Sequence, residues 1–316
     1  MIAIPSVRGV ANRSSMAEQL VFTSTKSSGT WGGSNTAFIT FTDAQRLVVE
    51  YTGTGWSGGT ATVTYGTGTG YGSQNVYVSR AVSGAGTKTI TMYPTDSSGL
   101  RRGRITNFNL SQLSGGFNTQ IDSANFKGCR NLNSVTIGTS ANTLTSLDVS
   151  GLKNLKALVC NSSGGITSID VTGCSSLEVL NASDTSTTTL TGLANTASTL
   201  IGLFLSGTPI TSLDVSNFSV LNTLSVANCT SLTSLRAANV TFDNYGYSAY
   251  LNYLYSYDGG ANLSNTTAMT AAAMNQFYTD LGSVGQGLIY VFGAGSFGDY
   301  SIATAKGYTV LGTLPP

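Results

Sequence analysis

Between Leu132 and Leu235 the apolar residues return in the spacing L-x-x-L-x-L. Units begin at Leu132, Leu144, Leu155, Ile166, Leu177, Leu190, Leu200, Ile210, Leu221 and Leu232. Two wordings alternate. One reads Leu144-Thr145-Ser146-Leu147-Asp148-Val149 and returns at Ile166–Val171 and Ile210–Val215; the other reads Leu155-Lys156-Ala157-Leu158-Val159-Cys160 and returns at Leu177–Ala182 and Leu221–Val226. Two units therefore make one coil of about 22 residues with an extended segment on each side, a length within the range of leucine-rich repeats. The first, fourth and sixth residues of a unit face inward and stack on the next coil, while the fifth faces out. No single coil buries its apolar face alone, so the pattern predicts a solenoid.

Upstream the period changes from coil to strict alternation. Phe38–Phe41, Arg46–Tyr51, Ala61–Tyr65, Val76–Val78 and Thr89–Tyr93 alternate apolar and polar residues between glycine-rich turns, which predicts five strands of a small antiparallel sandwich. Residues 1–28 form a mixed arm with a short helix expected near Ser15–Leu20. The arm reads equally as an attachment peptide or as a loosely packed terminus. The cluster Arg101, Arg102 and Arg104 marks the junction with the coils. It reads as a solvated linker or, less economically, as an anion contact.

The wording Leu144-Thr145-Ser146-Leu147-Asp148-Val149-Ser150-Gly151, with its partner Cys174-Ser175-Ser176-Leu177-Glu178-Val179-Leu180-Asn181, resembles the BspA-like leucine-rich repeats of bacterial surface adhesins and of bacteriophage tail, fibre or virion surface proteins. The resemblance covers roughly residues 120–313. It includes the end: Met274–Leu281, Leu288–Gly293, Ser301–Gly307 and Gly307–Val310 look like the helix, strand, helix, strand closure of that family. A terminal element of this kind shields the last coil of a solenoid. The resemblance implies recognition rather than catalysis, and leaves the ligand open. The fold expected is mainly β: an N-terminal antiparallel β-sandwich followed by a leucine-rich-repeat solenoid with an α/β C-terminal cap. The divisions expected are an arm over 1–28, the sandwich over 29–100, the solenoid over 101–265 with an irregular linker and first coil over 101–131, and the cap over 266–316.

Composition changes the picture in two ways. Charged residues make up only 9% of the 316 residues, and the formal net charge is +1, against a usual charged share of about 25%. Such a surface hydrogen-bonds to sugars or packs against other proteins more readily than it attracts nucleic acid or anionic membrane. Histidine is absent, which removes the commonest general base and metal ligand. No cofactor and no metal are expected. The four cysteines, Cys129, Cys160, Cys174 and Cys229, lie in the repeat region without C-x-x-C spacing. Cys129, Cys174 and Cys229 each fall three residues before a unit, as interior thiols of stacked coils would; one or two disulfides are the alternative. Met1–Pro5 lacks the charged start and apolar run of a secretory signal, and no apolar stretch is long enough to span a membrane. The expectation is a virion component released by lysis, on the virion surface; the alternative is the surface of a bacterial cell.

Candidate contact residues follow from exposure on this fold. Tyr247, Tyr250, Tyr253, Tyr255 and Tyr257 crowd one segment with Tyr245, and suit an oligomer or partner interface, a glycan contact, or packing against the cap. Phe204 is expected on the outer face of one strand column with Thr136, Val159, Asn181 and Ser225. The Trp56-Ser57-Gly58-Gly59 turn resembles carbohydrate-binding jelly-roll loops, so Trp56 is a candidate sugar contact; capping a thin core is the plainer role. Asp148, Asp170 and Asp214 form an outward column, interrupted at Ala194 and followed by Arg236, that could hold calcium or simply bond neighbouring hydroxyls. Asp243 and Asp258 flank the tyrosines and are the pair an unexpected hydrolase would use. The partners expected are other virion proteins through the arm and sandwich, a host surface glycan or protein, and a second copy of the chain, with no nucleic acid and no membrane insertion. The function expected is a non-catalytic bacteriophage virion surface protein, as tail fibre, head fibre or decoration protein, in host adsorption or particle stabilisation. The alternative is a bacterial cell-surface leucine-rich-repeat adhesin.

Overall fold

The computed structural model describes residues 18–26, 29–32, 38–42, 44, 46–66, 74–76, 79–96, 98, 104–109, 121–138, 144–242 and 259–312. The chain is mainly β, and a β-solenoid of about eight turns runs from about residue 107 to 311.

The first strands are β1 (Leu20–Ser24), β2 (Gly29–Gly32), β3 (Phe38–Thr42), β4 (Arg46–Gly53), β5 (Ala61–Gly66), β6 (Gln74–Val76), β7 (Ser79–Val82), β8 (Lys88–Thr95) and β9 (Arg104–Asn109). The coils then supply β10 (Ser123–Asn125), β11 (Ser134–Thr136), β12 (Ser146–Asp148), β13 (Ala157–Val159), β14 (Ser168–Asp170), β15 (Val179–Asn181) and β16 (Thr189–Thr191). After a 3-10 turn at Leu193–Thr196 come β17 (Gly202–Phe204), β18 (Ser212–Asp214), β19 (Thr223–Ser225), β20 (Ser234–Arg236) and β21 (Gly260–Asn262). The end is α1 (Ala271–Asp280), β22 (Gly287–Tyr290), α2 (Ser301–Thr304) and β23 (Tyr308–Leu311).

The two wordings of the repeat build two different walls. The wording of Ala157-Leu158-Val159 lies on a parallel wall running without break through β9, β11, β13, β15, β17, β19, β21, β22 and β23. The wording of Ser168-Ile169-Asp170 lies on the opposite wall, where the coil strands pair with one another only in twos: β10 with β12, β14 with β16, β18 with β20. Successive partners such as Ala157 and Val179 stand one coil apart in register. Inward residues Val135, Leu158, Leu180, Leu203, Leu224, Ala261 and Ile289 stack in one column, each with no exposed surface. On the paired wall Ile169 and Leu235 are buried in the same way.

A second regularity, absent from the apolar pattern, turns the corners. The third residue after a strand takes a left-handed conformation: Gly151, Ser162, Gly173, Asp184, Gly207, Asn217, Asn228, Asn239, Asn265 and Gly293 have φ between 56° and 81°. Glycine tolerates this region freely, and Asn and Asp best among the rest. The last strand residue is often Asp or Asn, whose side chain accepts the N–H two residues on, as in Asp170 to Thr172 (2.8 Å) and Asn181 to Ser183 (3.0 Å). Such Asx turns bend the chain out of the strand.

One unit departs from the expected register. Leu190, read as the opening residue of its unit, pairs with Ile169 as the inward residue of β16. Gly192, with φ 77°, ends that strand, and Leu193–Thr196 form the 3-10 turn. Thr191 rather than Ala194 therefore follows Asp170 in the outward column.

Four of the alternating segments upstream, Phe38–Phe41, Arg46–Tyr51, Ala61–Tyr65 and Thr89–Tyr93, are strands; of the fifth only Val76 is described, as the last residue of β6, and Tyr77 and Val78 lie outside the described residues. They join sheets shared with the coils. β5, β4, β8 and β1 are antiparallel neighbours, and β1 goes on to pair with β10 of the paired wall. β6 and β3 extend the continuous wall through β9. Glu18 pins this junction: its carboxylate accepts the Ile105 N–H (2.6 Å) and both the backbone and side-chain N–H of Asn131. One apolar cluster runs from Leu20 through Phe22, Phe108 and Phe126 to Tyr308. The expected helix near Ser15–Leu20 is not where Leu20 lies, since Leu20 opens β1; Ser15 is outside the described residues, as are Arg101 and Arg102. Arg104 opens β9.

The cap has the expected helix, strand, helix, strand order. Thr270 caps α1 by accepting the Ala273 N–H, and Met274, Phe277 and Tyr278 seal the coil interior with no exposed surface. Asp280 at the end of α1 accepts two bonds from the Arg236 guanidinium on β20, and bonds from Gln276 and the Ala237 N–H.

Candidate contact surface

The outward residues of the two walls differ in character. On the paired wall Ser146, Ser168, Asp170, Thr189, Thr191, Ser212, Asp214, Ser234 and Arg236 are exposed, forming a polar ladder of low charge. Its carboxylates are committed locally. Asp148 Oδ1 accepts the Ser150 N–H and hydroxyl (3.0 and 2.7 Å), and Asp214 accepts the Ser216 N–H (2.8 Å). Hydrogen bonds from the Thr172 side chain and N–H hold the Asp170 carboxyl below the ordinary range. Among the described residues no group of three acids, cysteines or histidines gathers where a metal could sit. The plainer reading of the Asp column therefore has a physical basis: each residue makes a turn.

The continuous wall is closed on its outside over several coils. Ala157, Val159, Val179, Asn181, Phe204, Thr223 and Ser225 are all buried. Phe204, expected to be exposed, retains 3% of its surface and packs with Val179, Ala157 and Ile201 in an apolar cluster separate from the interior. The register of the expected column is correct, since Thr136, Val159, Asn181, Phe204 and Ser225 stand in line; its exposure is not.

Trp56 is likewise withdrawn from ligand. It retains 3% of its surface, sits edge-on to Tyr51 (centroids 5.1 Å apart), and donates its indole N–H to the Thr52 carbonyl (2.9 Å). The Lys88 ammonium, wholly buried, lies 6.0 Å from its ring and donates to the Gly84 and Gly86 carbonyls. Ring face and N–H are both occupied by the protein, so Trp56 organises the β4 and β7–β8 loops and caps the core. Tyr247, Tyr250, Tyr253, Tyr255 and Tyr257, and the acids Asp243 and Asp258, lie outside the described residues.

All four cysteines are buried and free. Cys174 donates to the Val149 carbonyl (3.3 Å) and Cys229 to that of Leu205 (3.1 Å), each reaching the preceding coil. At equivalent corners Thr208 and Thr266 donate to the carbonyl three residues back. Burial pushes the Cys160 thiol up to about 12 and the Cys174 thiol to about 11, which removes thiolate chemistry at neutral pH.

Where the paired wall opens between β16 and β18, a groove of about 320 Å³ forms, with Leu190, Leu193, Ile210 and Leu213 along it and Thr188, Ser212 and Asp214 beside them. Its one carboxylate serves the Ser216 turn. The cap adds a feature that the spacing of apolar residues did not reveal: Phe292, Tyr300 and Leu311 are exposed at 44%, 47% and 36%. The uncharged run Tyr308–Leu311 was the available signal. No helix among the described residues is long and apolar enough to cross a membrane. No family model, curated protein or solved structure matches this chain.

Proposed function

We propose that this chain is a non-catalytic bacteriophage virion surface protein, built on a BspA-like leucine-rich-repeat solenoid, acting in host adsorption or particle stabilisation. In this reading the arm and the N-terminal strands, taken as a sandwich, attach to other virion proteins, and the coils face outward. The observation that carries it is the exposed paired wall, a ladder of Ser, Thr and Asp with little charge. Such a face hydrogen-bonds to a glycan or protein over a broad area without long-range electrostatic steering. The repeat wording supports the choice of family.

The test is mass spectrometry of purified virions and of envelope fractions from the bacterium carrying the gene. The chain should be enriched in virions, and labelled full-length protein should bind host cells if its role is adsorption, or leave them bare if it only decorates the particle. Recovery in the envelope and not in virions would replace this reading with a cell-surface adhesin. Release of reducing ends from host polysaccharide by the purified chain would overturn the non-catalytic part.

A further inference from the structure

The cap closes the interior of the solenoid but not its hydrogen-bonding edge. Among the described strands β23 is the last of the continuous wall, bonded to β22 on one side only. The Leu311 carbonyl accepts the Val291 N–H (2.8 Å) on the β22 side. Successive residues of a strand present their backbone groups to alternate sides, so the N–H and C=O of Val310 face the open side. Open edges are ordinarily guarded by charge, proline, a bulge or a covering element. Tyr308-Thr309-Val310-Leu311 carries no charge and no proline, and the nearest cation in sequence, Lys306, is occupied by the Thr279 and Leu281 carbonyls. Beside the edge Leu311 and Phe292 are exposed.

We propose that β23 is a pairing edge for a second copy of this chain, joined antiparallel about a two-fold axis through Val310. The backbone directions allow this register, since Val310 presents both of its groups to the open side. Val310 exchanges both hydrogen bonds with Val310 of the other copy, and Thr309 stands opposite the other copy's Leu311 on the outer face. A charged strand would face its own charge across such an axis at a cost, and this one has none to repel. The contact is isologous and therefore closed, giving a dimer rather than a fibre. It brings the two Leu311 and Phe292 patches toward one another. The inference does not depend on the virion reading.

Sedimentation equilibrium on the full chain tests it. The wild type should show a reversible monomer–dimer equilibrium. Thr309→Lys and Leu311→Glu should each weaken dimerisation at least about tenfold, the size of effect that one lost contact of this kind produces. Both positions are exposed, so circular dichroism and, at dilutions where the wild type is monomeric, the thermal midpoint should not move. The double variant should recover dimerisation, because each introduced ammonium then meets an introduced carboxylate of the other copy across the axis. A wild type that stays monomeric at high micromolar concentration would overturn the proposal, including the case in which a strand of another protein fills the edge. So would a dimer indifferent to both single variants, or single-variant losses that the double variant does not repair.

Discussion

At the scale of the residue, the apolar positions were legible because burial leaves a strong periodic trace, and the corners were not, because their code lies in backbone conformation. Gly173 shows the consequence. Its φ is 81°, and a Cβ there would lie 3.0 Å from the Gly151 Cα of the neighbouring coil. Gly173→Ala is expected to cost about 1–2 kcal/mol, as left-handed geometry does for an L residue, and urea denaturation will show it as a lowered midpoint. Ser163 points the other way. It occupies the interior corner that Thr208 and Thr266 fill, yet its buried hydroxyl has no partner. Ser163→Ala should raise stability by about 1 kcal/mol, the order of the penalty for an unpaired buried polar group, in the same measurement. The thiols offer a third check: native protein at pH 8 should resist a thiol reagent at Cys129, Cys160, Cys174 and Cys229, and react fully in denaturant. Prompt native labelling would contradict the buried placement. Phe204 and Trp56 illustrate the limit of reading exposure from spacing. Period two tells which side of a strand a ring occupies, but whether that side meets water depends on what else packs there.

At the scale of the element, the junction between coil and cap depends on one polar knot. Burial alone would raise the Asp280 carboxyl, but hydrogen bonds from Arg236, Gln276 and the Ala237 N–H, with the charge of Arg236, outweigh it and hold Asp280 below the ordinary value. A carboxyl depressed in the folded state contributes stability above its unfolded value, and loses that contribution as pH falls through the folded value. Protection of the α1 amides against hydrogen exchange, referred to the intrinsic rate at each pH, should therefore fall below about pH 4, the unfolded range for Asp, before that of the central coils. Asp280→Asn should lower it already at neutral pH and remove most of the acid dependence. A cap whose exchange is indifferent to both changes would show that Met274, Phe277 and Tyr278 hold α1 unaided. The cap elements themselves were legible, but only through the likeness of Met274–Leu281, Leu288–Gly293 and Ser301–Val310 to a known terminal closure. The partner of Asp280 was not, because Arg236 lies 44 positions away and only the coiling brings it near.

At the scale of the whole molecule, the sequence pointed to two architectures in series, and the hydrogen bonding ties them together. A change of period marks a change of strand direction, from antiparallel to parallel, but carries no information about which strands become neighbours; β1 and β9 make that connection, β1 by pairing with both β8 and β10 and β9 by pairing with both β3 and β11. With one cluster running through both parts, unfolding should be a single event. Fluorescence from the tryptophans, which lie upstream, and far-ultraviolet dichroism, dominated by the coils, should share one denaturation midpoint. Two separated midpoints would show that the parts unfold independently. Leu180→Ala, in the middle of the inward column, should lower both signals together by about 2–5 kcal/mol, the cost of a core cavity.

The unequal stitching of the two walls has a mechanical meaning. One flank is laced from end to end, while the other is laced only in twos, leaving seams between β12 and β14 and between β16 and β18. A load across the rod that spreads the laced flank must break a continuous ladder of backbone bonds, whereas one that spreads the seamed flank meets at the seams only single bonds, such as that from the Gly151 N–H to the Thr172 carbonyl (2.9 Å). The molecule is therefore a directional spring, compliant toward one side and stiff toward the other.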